Sequence, residues 1–266
     1  MNENYKKNNV VLEIKGIGVT FDGFHALTDV NIDVKRNTVH FFIGPNGAGK
    51  TTLLDIICAK TKPTQGNVFY YPDKARQQKI RLTGMKEYKI VTEGIGRKFQ
   101  VPSVFVNLTV LDNMILSLKG HKGVWDSIFF KLSEEQLQLI DDTLKRVGLE
   151  NRKEVKAGSL AHGEKQWLEI AMLLVQEPEV LLLDEPVAGM GKPETERTGV
   201  IIRNIAKKYA VCVVEHDMEF VRKVADVVTV MHEGKILKEG TPDECLADEQ
   251  VKAVYLGRGK FHKSGI

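Results

Sequence analysis

Hydrophobic and polar positions alternate through the first third of the chain. Ile17, Val19 and Phe21 alternate with smaller or polar residues, and Val30, Ile32 and Val34 do the same. This period of two predicts half-buried strands. Residues 39–43, Val39-His40-Phe41-Phe42-Ile43, then form a nearly continuous apolar run. A strand covered on both faces reads this way, as in a parallel sheet. Glycine-rich residues 44–49 follow, and after them Leu53, Leu54, Ile57 and Cys58 fall on one side of a predicted helix. From about 101 to 176 the pattern is mostly helical, with Leu137, Ile140, Leu144 and Val147 at helical spacing. The last third returns to strands. Short apolar runs stand at 180–183 and 211–214, with a helical segment around 201–205 between them. Residues 227–231 and 235–239 flank Glu233-Gly234, which predicts a hairpin. The pattern therefore predicts an α/β core with a helical block inserted into it, and no repeat of 20 to 50 residues that would make a solenoid.

Composition narrows the class. The chain has 266 residues, 42% hydrophobic and 27% charged, which disfavours disorder, collagen and coiled coil. Mean hydropathy is -0.19, and no apolar run approaches the roughly 18 residues of a membrane span. The first nine residues hold no apolar stretch like a signal peptide. The expectation is a soluble, cytosolic protein. Cys58, Cys212 and Cys245 are scattered and fit neither a metal site nor a disulfide framework. A net charge of +3 gives no argument for nucleic acid. One stretch is locally basic: Lys74, Arg76, Lys79, Arg81, Lys86 and Lys89. It suits a solvated surface, or attraction to anionic lipid or an acidic partner.

Two motifs carry chemistry. Gly44-Pro45-Asn46-Gly47-Ala48-Gly49-Lys50-Thr51 matches the phosphate-loop pattern G-x-x-x-x-G-K-[ST] at every fixed position, after an apolar strand and before a helix. Glycines let the backbone wrap closely and aim N–H groups at phosphate oxygens, and the helix N-terminus adds positive partial charge. Lys50 brings a cation to the β- and γ-phosphates, and Thr51 offers a hydroxyl to Mg²⁺. The second motif is the apolar run 180–183 ending in Asp184-Glu185. A strand that fixes an acid suits a Mg²⁺ partner, and Glu185 stands where it can polarise an attacking water.

The stretch Leu160-Ala161-His162-Gly163-Glu164, just before that strand, resembles the Leu-Ser-Gly-Gly-Gln signature of the ATP-binding subunits of ABC transporters. Phe99-Gln100 is similar to the family's glutamine loop, Glu215-His216-Asp217 to its switch histidine, and Phe21 to its adenine-stacking aromatic, with Phe24 a second candidate. The resemblance runs in order from about residue 11 to 257. It implies a P-loop NTPase core with a parallel sheet, an N-terminal antiparallel β-subdomain and an inserted α-helical lobe. One ABC ATPase domain would span 1–266, with the lobe at about 101–176.

The resemblance also implies roles. ATP would be sandwiched between two such subunits. Residues 44–52, including Thr52, would hold its phosphates, with Thr51, Gln100 and Asp184 around Mg²⁺. Ala161, His162 and Gly163 of a second ATPase subunit would cap the γ-phosphate. Lys50, Gln100, Glu185 and His216 would form the catalytic set, Glu185 as general base or water-orienting group. The partners implied are integral membrane permease subunits and an extracytoplasmic binding protein, with the chain peripheral on the inner face of the membrane and no nucleic acid.

Within the family, Gly94-Ile95-Gly96-Arg97-Lys98-Phe99-Gln100 and Val254-Tyr255-Leu256-Gly257 resemble the branched-chain amino acid importer group. Ala161-His162-Gly163-Glu164-Lys165-Gln166-Trp167-Leu168-Glu169-Ile170 and Glu185-Pro186-Val187-Ala188-Gly189-Met190 are similar to urea-type importer subunits. Urea is thus the cargo expected, with branched-chain amino acid import or lipopolysaccharide export as alternatives. A soluble ABC ATPase acting on DNA or ribosomes usually carries a coiled-coil insertion or two cassettes, and this sequence has neither; a regulatory module that binds nucleotide without hydrolysis is a third reading, motivated by Ala161 and opposed by intact Glu185 and His216. Three positions depart from the family. Ala161 stands where serine is usual and removes a hydroxyl donor to the γ-phosphate, a bond contributing roughly 1.5–3 kcal/mol. Glu164 replaces glutamine and adds negative charge. Gly191 occupies a position where many members have aspartate. A heterodimer with one weak and one strong site is the hypothesis these departures raise. Trp125 and Trp167 read as packing residues, and His25, His40, His121, His232 and His262 show no ligand spacing.

Overall fold

The alternating segments at the start pair with each other. A computed structural model describes residues 9–72, 79–98, 103–119 and 132–256. In it β1 (Val10–Phe21) and β2 (Phe24–Lys35) form an antiparallel hairpin across Asp22-Gly23, both with positive φ. With β4 (Gln65–Tyr70) and β5 (Ile80–Arg81) they make a four-stranded antiparallel sheet in the order β2-β1-β4-β5. Ile17, Val19, Val30, Ile32 and Val34 are buried as the alternation requires. Phe21 and Phe24 are not, and stand 48% and 67% exposed beside the turn.

The second sheet is built from β3 (Val39–Ile43), β6 (Ile95–Lys98), β7 (Val180–Asp184), β8 (Ala210–Val214), β9 (Val227–His232) and β10 (Lys235–Gly240). Its order is β10-β9-β3-β8-β7-β6, parallel except for β10 against β9. The hairpin of β9 and β10 turns at Glu233-Gly234, at φ 47° and 74°, as a type I′ turn demands.

Two hydrophobic cores explain the unbroken apolar runs. Phe42, Leu182, Cys212 and Val214 face the antiparallel sheet and α1 (Lys50–Ile57). Phe41, Leu181, Leu183 and Val213 face a layer of helices: α3 (Val110–Ser117), α4 (Glu134–Val147), α5 (His162–Leu174), α6 (Lys192–Ala206) and α7 (Met218–Val224). A short α2 (Glu87–Glu93) precedes β6, and α8 (Pro242–Ala247) and α9 (Glu249–Leu256) close the described chain. The side chains of β3 and β7 are apolar except for His40 and Asp184, because neither face of those strands meets water. Burying each such side chain contributes roughly 1.5–3 kcal/mol.

The helical stretch in the middle follows its pattern at Ile140, Leu144 and Val147, which are buried, but Leu137 is exposed on α4. Ser133 caps α4 and Gly148 ends it in the left-handed region. Trp167 is buried, and its Nε1–H donates to Thr198 Oγ1 at 2.9 Å, tying α5 to α6. Cys212 is fully buried, and burial pushes its thiol up to about 12. Of the basic stretch, residues 73–78 lie outside the described residues, while Lys79 stands 4.2 Å from the Phe69 ring centroid. No helix of the described residues is long and apolar enough to cross a membrane.

Candidate functional site

The parallel strands β3, β7 and β8 run the same way, so their carboxyl ends gather the motifs at one edge of the sheet, the usual place for a ligand in an open α/β sheet. Residues 44–49 follow β3, Asp184 ends β7, and Glu215-His216 follow β8 directly. The loop 44–49 wraps a space that only glycine permits at two points. Gly44 has φ 148°, and a Cβ there would overlap the carbonyl oxygen of Met231. Gly49 has φ 99°, and a Cβ there would come 2.5 Å from Leu27 Cδ2 and 2.9 Å from the Ala26 oxygen. Lys50 Nζ donates to the carbonyls of Gly44 at 2.7 Å and Pro45 at 3.0 Å, which folds its cation over the loop.

Helix α1 starts at this loop with no side-chain cap and no acid in its first turn. The orphan N–H groups of a helix start therefore meet no carboxylate of their own helix, as an anion site requires. A cavity of about 390 Å³ opens here, lined by residues 46–52 with Phe21, Phe24 and Glu185 at its walls. The donor set and the glycine cradle fit a nucleotide triphosphate. Thr51 and Asp184 supply hard oxygen ligands of the kind Mg²⁺ takes. A larger groove of about 670 Å³ lies between α6 and α7, and none of the phosphate-loop residues lines it.

Asp184 is buried at the end of β7, and burial raises its carboxyl, with the Arg97 guanidinium working against that rise. Glu185 follows at φ 47°, a left-handed conformation that a side-chain-bearing residue adopts only under constraint. Its N–H donates to the Val214 carbonyl at 3.0 Å. Glu185 Oε1 lies 3.8 Å from His216 Nδ1, and that imidazole is two-thirds exposed. Glu215 has no role of its own in the sequence motifs, where it only flanks His216. It is fully buried, accepts from the N–H of Val187 and of His216, and so holds the segment after Glu185 against the end of β8. Burial raises its carboxyl. A signal was there, in an acid placed where an apolar strand has not yet reached the surface.

The signature segment stands elsewhere. Ala161, His162 and Gly163 open α5 and do not line the 390 Å³ cavity. Ala161 occupies the N-cap with no side-chain acceptor, but Glu164 reaches back, its Oε2 accepting from Ala161 N–H at 3.0 Å. Arg152 holds the other oxygen of Glu164 at 3.2 Å. His162 Nε2 is 3.1 Å from the Ala188 oxygen, which joins the start of α5 to the segment after Glu185. Gly191 caps α6, its N–H donating to Glu194.

Gln100 lies outside the described residues. The two residues that end β6 just before it are cations inside the protein. Arg97 reaches Asp55 at 2.5 Å and Asp184 at 3.5 Å. Lys98 Nζ turns the other way, 3.4 Å from Glu169 of α5. Glu169 also accepts from the Ser103 N–H, so it fastens both described flanks of the Gln100 segment. Burial lowers Lys98 and raises Glu169.

The sequence profile of the family described as ABC transporter matches residues 27–188. The chain is 32% identical over 256 residues to the high-affinity branched-chain amino acid transport ATP-binding protein BraF of Pseudomonas aeruginosa, covering 93% of this chain and 98% of that protein. It is 31% identical to the branched-chain amino acid transport ATP-binding protein LivG of Escherichia coli, with the same coverage. Among solved structures, an ATP-binding cassette of an ABC transporter in its ADP conformation superposes with a TM-score of 0.80 at 28% identity, covering 93% of this chain and 99% of that one.

Proposed function

The chain belongs to the ATP-binding subunits of ABC transporters, and on that premise we propose which of its residues do the work and where it does it. It binds ATP with Mg²⁺, hydrolyses it, and couples pairing with a second ATPase subunit to transport through separate membrane subunits. The observation that carries the residue assignment is the convergence of the glycine cradle, Asp184, Glu185 and His216 at one edge of the parallel sheet.

In this reading residues 44–52 hold the phosphates, Lys50 turns its cation from the loop carbonyls to the β- and γ-phosphates, and Phe21 or Phe24 stacks on the base. Thr51 and Asp184 would hold Mg²⁺, with Gln100 as a further ligand. When bound, the ion would neutralise negative charge on the phosphates. Glu185 accepts or orients the proton of the attacking water. The water oxygen bonds to the γ-phosphorus as the bond from that phosphorus to its bridging oxygen breaks, and the departing ADP oxygen takes the electron pair. His216 donates to a γ-phosphate oxygen. Ala161, His162 and Gly163 complete the site of the partner ATPase through the N-terminus of α5. Residues 1–266 make a single domain with the lobe at about 101–176, lying peripherally on the inner face of the membrane and served outside by a binding protein.

The cargo reading has two branches. The names of BraF and LivG favour branched-chain amino acids. The stretches 161–170 and 185–190 favour urea or a related small solute. No residue of this chain would touch either.

Steady-state MgATP hydrolysis by the purified chain and by Glu185→Gln, with size-exclusion chromatography in ATP, tests the motor. The variant is expected to lose about 10²–10⁴-fold in turnover and to stay dimeric in ATP. A variant that hydrolyses like its parent sinks the role given to Glu185. Uptake of leucine against urea by the reconstituted transporter separates the two cargos.

A further inference from the structure

The last two residues of β6 point to opposite faces of the sheet, as consecutive strand residues must. Lys98 meets the helical layer. Arg97 meets the phosphate-loop side, where it touches two acids of different elements. Arg97 Nη1 lies 2.5 Å from Asp55 Oδ1, and Nη2 lies 3.5 Å from Asp184 Oδ2. The Arg97 side chain is 5% exposed and that of Asp184 7%. Asp55 sits on α1 four residues beyond Thr51, so the two share one face of that helix, a turn apart. One planar guanidinium thus spans the two elements, α1 and β7, that carry the two proposed metal ligands.

We infer that Arg97 is a positioning residue for the metal site, fixing the carboxylate of Asp184 relative to the Thr51 end of α1. The inference rests on the reading above that Thr51 and Asp184 hold Mg²⁺. The chemistry of the fork supports it. A guanidinium presents donors in a fixed plane, so an arm held by Asp55 fixes the direction of the other arm. Its contact with Asp184 is on Oδ2, and Oδ1 then carries the ligand role. A lysine at 97 would keep the charge and lose the fork. Partners that orient a metal ligand typically change metal affinity by about 10–100-fold when removed. They do so without touching the rest of the ligand.

The test compares Arg97→Lys, Asp55→Asn and Asp184→Asn with the parent chain. Three quantities are read: the thermal midpoint without nucleotide, the affinity for a fluorescent ATP analogue in EDTA, and the Mg²⁺ concentration that half-saturates the further gain in that affinity. Arg97→Lys is expected to bind the analogue in EDTA within about twofold of the parent, while its half-saturating Mg²⁺ rises about 10–100-fold. Asp55→Asn, which frees the far arm and leaves Asp184 its cation, is expected to move the same quantity by less. It also serves if Arg97→Lys does not fold. Equal loss of binding with and without Mg²⁺ would make Arg97 a packing ion pair and overturn the inference. So would an unchanged Mg²⁺ requirement in a folded Arg97→Lys. An Asp184→Asn chain with an unchanged Mg²⁺ requirement would instead remove the underlying metal reading, a result distinct from failure at Arg97 alone.

Discussion

Two helix starts in this chain are built in opposite ways. Helix α1 begins at the phosphate loop with a left-handed glycine, no cap and no acid in its first turn. Helix α5 begins at Ala161 with Glu164 folded back onto its first N–H and Arg152 holding that carboxylate. The first leaves its N–H groups to a phosphate. The second has met part of its own need. A site that must hold a triphosphate within one chain is pre-organised by packed backbone. In the reading proposed above, the second start acts on a partner's nucleotide only after pairing, and a self-supplied carboxylate stabilises it while it is exposed.

Glycine replacement gives the largest expected contrast. Gly44→Ala places a Cβ against the backbone oxygen of Met231 at a φ that side chains avoid. It is expected to cost several kcal/mol of stability and to abolish nucleotide binding. At Gly163 the added Cβ would meet Glu194 Oε1 at 2.6 Å, the end of a flexible side chain, with no φ strain. Gly163→Ala should therefore cost below about 1 kcal/mol of stability in the single chain. Chemical denaturation of the two variants checks this, and equal losses would erase the contrast.

Acid should weaken the phosphate-loop half next. His40 lies on β3, fully buried, its Nε2 2.7 Å from Thr229 Oγ1, and burial lowers it to about 3. Below its ordinary value of 6.5 the unfolded chain takes up a proton that the folded chain refuses until about pH 3. Stability then falls as pH drops through that interval, by about 2 kcal/mol between pH 6.5 and 5. His40→Asn should reduce the difference between unfolding free energies measured at pH 6.5 and pH 5, whatever its absolute stability.

Smaller effects belong to the signature half. Ala161→Ser adds an acceptor for the Glu164 N–H and completes the capping box begun by Glu164. It is expected to add about 1 kcal/mol and to raise the thermal midpoint by about 2–4 °C. It would also supply the hydroxyl that the family places there, so dimeric turnover should rise with it. Gly191→Asp comes last. Its backbone is extended and a Cβ would have room, the nearest atoms being 3.9 Å away. A better cap of α6 should add only a few tenths of a kcal/mol, read as a small rise in thermal midpoint.

The contrast between the two starts also marks what the sequence could say. The phosphate loop was legible because its chemistry is backbone chemistry, and glycine, lysine and threonine at fixed spacing are its direct trace. The strands β3 and β7 were legible because burial on both faces selects nearly continuous apolar runs, with His40 kept inside β3 by its partner Thr229. Glu185 was placed correctly beside the acid strand, but its left-handed backbone has no signature in a glutamate. The roles of Arg97, Lys98 and Glu169 were hidden for another reason. Arg97 and Asp55 are 42 positions apart, and nothing local distinguishes a buried cation from a solvated one before the partner strand and helix are in place. Phe21 showed the reverse error of pattern. It continues the alternation of β1, yet the strand has run past its core there, and the ring stands at the cavity mouth.

The position of β6 at the end of the sheet order has a consequence of another kind. An edge strand offers unpaired backbone groups to any extended chain that drifts past, and fibrous aggregation begins there. This edge strand ends in two inward cations, each matched to an acid already in place. A foreign strand added alongside would have to settle beside buried charge without supplying a counter-charge. All four residues of β6 are buried, so burial and matched charge together close this end of the sheet.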